Sequence, residues 1–138
     1  CQQLAMYGVF ESPLQMLADT PSNYRREPES LAFLSAVPTT WDETKALDAS
    51  VGDYILIARR RGRDWYVGAL TNWTARDLEI DLSFLGAGAF RAEMFRDGVN
   101  ADRIGVDYAR EQKDVTAQDR VRVHLAPGGG FAARITPR

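Results

Sequence analysis

Between Val51 and Leu82 the chain reads VGDYILIARRRGRDWYVGALTNWTARDLEIDL, and within it the apolar residues recur in twos. Residues two apart on an extended chain share a face, so this period predicts strands. Tyr54 to Arg59 is apolar on both faces, with Ile55 and Ile57 opposed by Tyr54, Leu56 and Ala58. Trp65 to Thr71 repeats the pattern, with Trp65, Val67 and Ala69 opposed by Tyr66, Gly68 and Leu70. Two such strands belong in the middle of a sheet packed on both sides. Leu78, Ile80 and Leu82 alternate with Asp77, Glu79 and Asp81, which predicts a half-solvated third strand. Arg60-Arg61-Gly62-Arg63-Asp64 reads as a hairpin turn in which Gly62 takes a positive φ. The three strands are expected to form a meander. A meander is scaffold, and this stretch names no reaction.

Upstream, the chain is helical in character. Leu4, Tyr7 and Phe10 stand near helical spacing, with Ala5, Met6 and Val9 also apolar, so a helix over Cys1 to Phe10 would need cover on more than one side. Too little chain is left over to supply that cover, and a missing partner domain is expected. Ser12-Pro13-Leu14-Gln15 reads as a new helix start or a kink, with Leu14, Leu17 and Ala18 as its buried stripe and Asp19-Thr20-Pro21 as its stop. Pro21 to Arg26 reads as a polar connector around Tyr24. Glu27-Pro28-Glu29 opens a short helix, with Leu31, Phe33, Leu34 and Val37 buried and Pro38 ending it.

Beyond Pro38 the helical period stops. Thr39 to Leu47 is expected as the first strand or an extended approach to it, and Phe90 to Met94, Tyr108 to Val115, Val121 to Leu125 and Phe131 to Ile135 as further strands, with Tyr108 to Val115 polar enough for an exposed edge. Seven or eight antiparallel strands at roughly ten-residue spacing predict a mainly β chain folded as an antiparallel β-sandwich. Two or three short α-helices precede it. The division expected is therefore 1–37, helical, and 38–138, all-β.

Composition removes several function classes. A net charge of −2 gives no field for nucleic acid or an anionic membrane surface. The apolar runs are far shorter than the roughly 20 residues that span a bilayer. A single cysteine allows no internal disulfide and no cysteine-based zinc site. The chain opens on Cys1 rather than Met, and is expected to be a segment of a longer protein.

The residues that could carry chemistry each have a plainer reading. Asp42 and Glu43 are adjacent, so on a strand they face opposite ways and cannot share a substrate atom. Asp97, Asn100 and Asp102 put oxygens in one loop, but counting from Asp97 the third, fifth and twelfth positions of a calcium loop fall on Val99, Ala101 and Tyr108. His124, the only histidine, alternates with Arg120 and Arg122 and has no nucleophile or second imidazole beside it. Gly128-Gly129-Gly130 lacks the helix and the Lys-Ser/Thr tail of a phosphate loop. Asn72-Trp73-Thr74 matches a glycosylation sequon. Trp65 belongs to the core. Trp41 and Trp73, at strand ends, are the candidate sugar-stacking or interface residues. No catalytic, cofactor-binding or metal-binding residue is assigned.

The segments FESPLQMLAD, PSNYRREPESLAFLSAVPTTWDET, VGDYILIARRRGRDWYVGALTNWTARDLEIDLSFL and MFRDGVNADR resemble, in order and spacing, the C-terminal region of glycoside hydrolase family 97. That family contains bacterial α-glucosidases and α-galactosidases. The resemblance implies a parent with an N-terminal β-super-sandwich, a catalytic (β/α)8 barrel and a C-terminal β domain. Residues 1–37 would be the end of the barrel and 38–138 the C-terminal domain. It implies that the catalytic carboxylates and the Ca2+ ligands lie upstream, that the parent acts on oligosaccharides in the periplasm or outside the cell, and that this domain supports its own barrel and takes part in homo-oligomerisation. The alternative is a carbohydrate-binding module using Trp41 or Trp73.

Overall fold

A computed structural model describes residues 1–11 and 19–138. The helix start expected at Ser12-Pro13, with Leu14, Leu17 and Ala18, lies outside the described residues. Among the described residues, three helices come first: α1 (Gln2–Val9), α2 (Pro21–Tyr24) and α3 (Pro28–Ala36). Eight strands follow: β1 (Glu43–Ser50), β2 (Tyr54–Arg61), β3 (Asp64–Thr71), β4 (Arg76–Asp81), β5 (Phe90–Asp97), β6 (Tyr108–Val115), β7 (Arg120–Leu125) and β8 (Gly130–Pro137). The polar connector expected at Pro21 is therefore partly helical: Pro21 occupies the first position of α2, where its missing N–H costs nothing.

Six strands make one antiparallel sheet in the order β1-β2-β3-β8-β5-β6, and β4 and β7 make a second, two-stranded one. The expected meander thus breaks after β3. The chain leaves the large sheet there, and β4 pairs with β7, Leu78 opposite Val123 and Ile80 opposite Val121. Alternation reports which faces a strand shows and is silent on which neighbour it takes. The sandwich is lopsided, with six strands facing two. The β2–β3 hairpin turns at Gly62, with φ +60°, as its sequence predicts.

The faces of the six-stranded sheet bury different things. Leu56, Ala58, Trp65, Val67, Ala69, Ala92, Met94, Phe131, Ala133 and Ile135 meet Ile80, Val121, Val123 and Leu125 of the small sheet, and Leu82 just after β4, in the main core. The opposite face carries Phe95 and Ala132, which pack with Leu4, Ala5 and Phe33 of α1 and α3. Helix α1 thus finds much of its cover in the sheet, on β3 and β8, while Met6 and Tyr7 stay half-buried and Phe10, just past its end, is exposed. Close approach is possible because β3 carries Gly68, where a Cβ would lie 2.8 Å from Val9 Cγ2 and 3.0 Å from the Ala5 carbonyl oxygen.

Polar groups tie the helices down. Arg59, 5% exposed, reaches across the sheet face to the C-terminal end of α1. It donates from Nη1 to the Phe10 carbonyl at 2.7 Å and from Nη2 to the Val9 carbonyl at 3.1 Å. A cation at a helix C-terminus is favoured by the dipole and satisfies carbonyls left over by the last turn. Burial pushes the Arg59 guanidinium pKa down, but an arginine stays charged. Helix α3 is held by Tyr66, whose hydroxyl donates to the Ala36 carbonyl at 2.7 Å, and by Tyr108, whose hydroxyl donates to Glu29 at 3.1 Å. Of the residues expected to bury α3, Phe33 is fully buried, while Leu31, Leu34 and Val37 are half-buried.

Candidate functional site

The outer face of the β4–β7 ribbon carries His124 and a ladder of charges. His124 Nδ1 lies 2.7 Å from Asp77 Oδ1, both well exposed. Next along, Arg120 and Arg122 both reach Glu79, at 2.8 and 3.3 Å. This is a solvated ladder of cross-strand ion pairs. His124 is thus the surface histidine its alternation predicts.

Asp42 and Glu43 act in the β2–β3 hairpin. Asp42 accepts from the Gly62 backbone N–H and from Arg61 Nη1, the latter at 2.9 Å, while Glu43 accepts from Arg60 Nε at 3.0 Å. Asp97, Asn100 and Asp102 do not converge. The Asp97 side chain is buried, and its Oδ2 accepts from the Ala126 and Gly130 backbone N–H groups at 3.0 and 2.9 Å. Asp102 faces Arg103. Among the described residues no three His, Cys, Asp or Glu side chains group as metal ligands. These residues therefore do not fit a calcium ion.

Glycoside hydrolysis needs a carboxyl held protonated near neutral pH, which burial or a second carboxylate pushes up. Here each carboxyl with a displaced pKa moves the other way. The Gly62 N–H lowers Asp42, Arg60 lowers Glu43, Arg120 and then Arg122 lower Glu79, the Ser83 hydroxyl and N–H lower Asp81, and the Thr116 N–H lowers Asp119. These groups are tuned to stay ionised, which suits ion pairs and turns. The consequence for stability has a definite sign. A carboxyl whose folded pKa lies below its unfolded one stabilises the fold above the unfolded value, and that contribution disappears as pH falls through the folded value. Thermal stability should be flat from neutrality down to about pH 5 and fall below about pH 4, the ordinary carboxylate range. Thermal melts across pH 2–7 check this, and Glu79→Gln should make the acid limb shallower. An acid limb unchanged by that substitution would remove Glu79 from the account.

The three tryptophans separate clearly. Trp65 is core, 4% exposed. Trp41 is half-buried, edge-on to Tyr66 at 5.3 Å with the Arg59 guanidinium 5.6 Å from its ring centre. Its ring thus packs on side chains of β2 and β3. Trp73 is 86% exposed, and one face of its ring lies against Gly128. A Cβ there would come within 3.1 Å of the indole, and Gly128 has φ +66°, so glycine is required on both counts. Asn72 of the sequon is already engaged. Its Nδ2 donates to the Gly52 carbonyl and to Asp53, and its Oδ1 accepts from the Thr74 N–H.

Trp73 is not alone. The six large hydrophobics exposed among the described residues are Phe10, Val51, Trp73, Val99, Ile104 and Val106, and all but Phe10 lie in connections at one end of the large sheet. Sequence reading singles out Trp73 and passes over the three valines and the isoleucine, because an apolar residue in a turn has no periodic neighbours to mark it.

Residues 40–136 match the family model described as glycosyl-hydrolase 97 C-terminal, oligomerisation. The chain is 57% identical over 135 residues to a retaining alpha-galactosidase of Bacteroides thetaiotaomicron, covering 98% of this chain and 20% of that protein. Its fold matches a glycoside hydrolase family 97 enzyme from Pseudoalteromonas sp. strain K8, solved in complex with panose, with a TM-score of 0.93 and 43% identity over 99% of this chain and 22% of that one. A beta-arabinopyranosidase structure matches with a TM-score of 0.78 and 29% identity over 96% of this chain and 20% of that one. The chain therefore spans about one fifth of the relatives it matches, and it belongs to glycoside hydrolase family 97, as the C-terminal oligomerisation domain of that family.

Proposed function

We propose that this chain is the non-catalytic C-terminal part of a family-97 α-glycosidase, supporting the catalytic barrel in cis and joining copies of the enzyme into a homo-oligomer. The observation that carries the non-catalytic half is the extent of the match: the chain corresponds to about one fifth of its relatives, the part that the family's C-terminal model describes. The matched family's own description supports the oligomer half. Residues 1–37 would close the end of the barrel, a reading supported by a family match that begins at residue 40. Identity of 57% to a retaining alpha-galactosidase supports an α-galactoside substrate, with retention of configuration, for the parent. The family resemblance further implies a parent that is periplasmic or secreted and holds its Ca2+ outside this chain.

The test is direct. The parent enzyme should cleave an aryl α-galactoside faster than the matching α-glucoside and should sediment as an oligomer. The isolated chain should cleave neither. Turnover by the isolated chain, confirmed by its loss on substitution within the chain, would overturn the non-catalytic reading.

A further inference from the structure

We infer that the end of the large sheet at which α1 begins is the face this domain turns to the catalytic part of its own chain, an inference that rests on the cis-support reading above and locates its surface. The chain makes up about one fifth of its relatives and matches their C-terminal model, so in the parent the catalytic part arrives at Cys1. The sheet receives Cys1 at one end. Its nitrogen lies 3.5 Å from Oδ1 of Asp97, whose side chain is 2% exposed at the close of β5. Gln2 follows against the start of β8, where a Cβ on Gly130 would lie 2.8 Å from the Gln2 Cα. Helix α1 then runs away from this end to Arg59, which holds its last carbonyls. Oδ2 of Asp97 accepts from the Ala126 and Gly130 N–H groups at 3.0 and 2.9 Å. In the parent the Cys1 nitrogen belongs to a peptide bond, so Asp97 faces three backbone nitrogens, one of them on the arriving chain. Its negative charge at the start of α1 also suits the helix dipole. Asp97 therefore fixes where the catalytic part meets the sheet.

The two ends of the sheet differ in what they show to solvent. At the Cys1 end lie the connections 51–53, 72–74, 98–107 and 126–129. Hydrogen bonds brace them: the Asn72 N–H donates to the Asp53 carbonyl at 2.8 Å, the Gly128 N–H to the Asn72 carbonyl at 2.7 Å and the Gly98 N–H to the Asp107 carbonyl at 2.9 Å. They carry Val51, Trp73, Val99, Ile104 and Val106, five of the six large hydrophobics exposed among the described residues. The connections at the opposite end, 62–63, 82–89 and 116–119, carry none of the six. Single exposed hydrophobics need no explanation, but five gathered at the end where the chain arrives mark a contact surface. The charges beside them are already paired, Arg76 with Asp53 and Arg103 with Asp102.

Covalent continuity names the occupant. A segment tethered through Cys1 is presented to these loops at an effective concentration on the order of millimolar, whereas a second copy must arrive from solution. The loops also stand beside the tether. Asp97 holds both Cys1 and the 126–129 connection, Gly128 is bonded to Asn72, and the 98–107 connection leaves β5 directly after Asp97. Contacts between units of one chain bury roughly 600–1,500 Å², and Trp73 alone offers on the order of 200 Å². The other surfaces suit the role less well. The outer face of the small sheet is the ladder of Asp77, Glu79 and Asp81 against Arg120, Arg122 and His124. The β6 edge is charged too, with Arg110 on Glu93 and Asp114 on Arg91. Ion pairs already satisfied at a surface hold a partner weakly.

The experiment uses the intact parent enzyme, carrying the photoreactive residue p-benzoylphenylalanine at Val99, at Val106 or, on the charge ladder, at Arg122. All three positions are exposed, so the fold should be kept, with unchanged near-UV circular dichroism as the check. Illumination should join Val99 and Val106 to peptides upstream of Cys1, in a product with the intact mass of one chain. Arg122 should give no such product. Loop cross-links in a product with the mass of two chains would seat a second copy here and overturn the inference. Upstream cross-links from Arg122 and not from the loops would move the cis contact to the ladder, overturning the inference while the cis-support reading stands. No cross-link from any position would leave the loops in solvent and overturn the inference as well. The cis-support reading is tested apart, by calorimetry of the intact enzyme. It expects one cooperative unfolding transition, and two independent transitions would overturn it whatever the cross-links show.

Discussion

Phe95→Ala should cost about 3–5 kcal/mol of folding stability, the range for removing a fully buried phenylalanine. Phe95 is 0% exposed and sits where four elements meet. Its ring is edge-on to Phe33 of α3 at 5.2 Å and tilted against Tyr108 of β6 at 6.0 Å. Leu4 and Ala5 of α1 and Ala132 of β8 complete the cluster. The cavity left by its loss has little means of closing, because the strands beneath are held by pairing to both neighbours: Phe95 stands opposite Arg110 on one side and Ala132 on the other. Urea unfolding followed by far-UV circular dichroism checks it. The midpoint should drop with the slope unchanged. A loss below about 1 kcal/mol would mean that the helical layer is loosely applied.

Gly68→Ala is expected to cost about 1–3 kcal/mol by overpacking, a large effect for a single methyl group. The new Cβ would meet Val9 Cγ2 at 2.8 Å and the Ala5 carbonyl oxygen at 3.0 Å. Val9 is β-branched and stiff at χ1, and Ala5 presents backbone, so α1 itself must lift. Gly130 reinforces the point, since a Cβ there would lie 2.8 Å from the Gln2 Cα. A double-mutant cycle isolates the cause. Val9→Ala removes the nearer clash and should recover part of the loss, a coupling of about 0.5–2 kcal/mol between residues in contact. Strict additivity would mean that Gly68 matters for the strand and not for the helix. Lifting α1 also strands Arg59, whose donors to the Val9 and Phe10 carbonyls would lose their acceptors.

Strand existence was legible in the sequence because side-chain alternation and burial share one cause. The β4, β5 and β7 segments alternate in burial, β2 and β3 are apolar on both faces and buried on both, and β6 at Tyr108–Val115 is the charged edge. The first strand is the poorest match: expected over Thr39 to Leu47, it runs Glu43–Ser50, displaced by the turn in which Asp42 binds Gly62 and Arg61. Core placement of Trp65 and exposure of His124 followed from position within alternating runs. Trp41 and Trp73 could not be separated that way. Both flank strands, yet Trp41 packs on Tyr66 and Arg59 of the sheet and Trp73 stands in solvent, a difference set by contacts far apart in the chain.

By itself the sequence determined the helical start, the all-β remainder, the hairpin at Gly62 and, through its resemblance, the family. These rest on short-range chemistry: period, turn residues and local runs. Strand partners were decided only by the tertiary structure. The departure of β4 to pair with β7, the cover that β3 and β8 give α1, and the gathering of Val51, Trp73, Val99, Ile104 and Val106 at one end all join residues far apart in the chain. Side-chain alternation assigns a strand its two faces but carries no term for which neighbour it will bond, so that choice is made when the whole core closes.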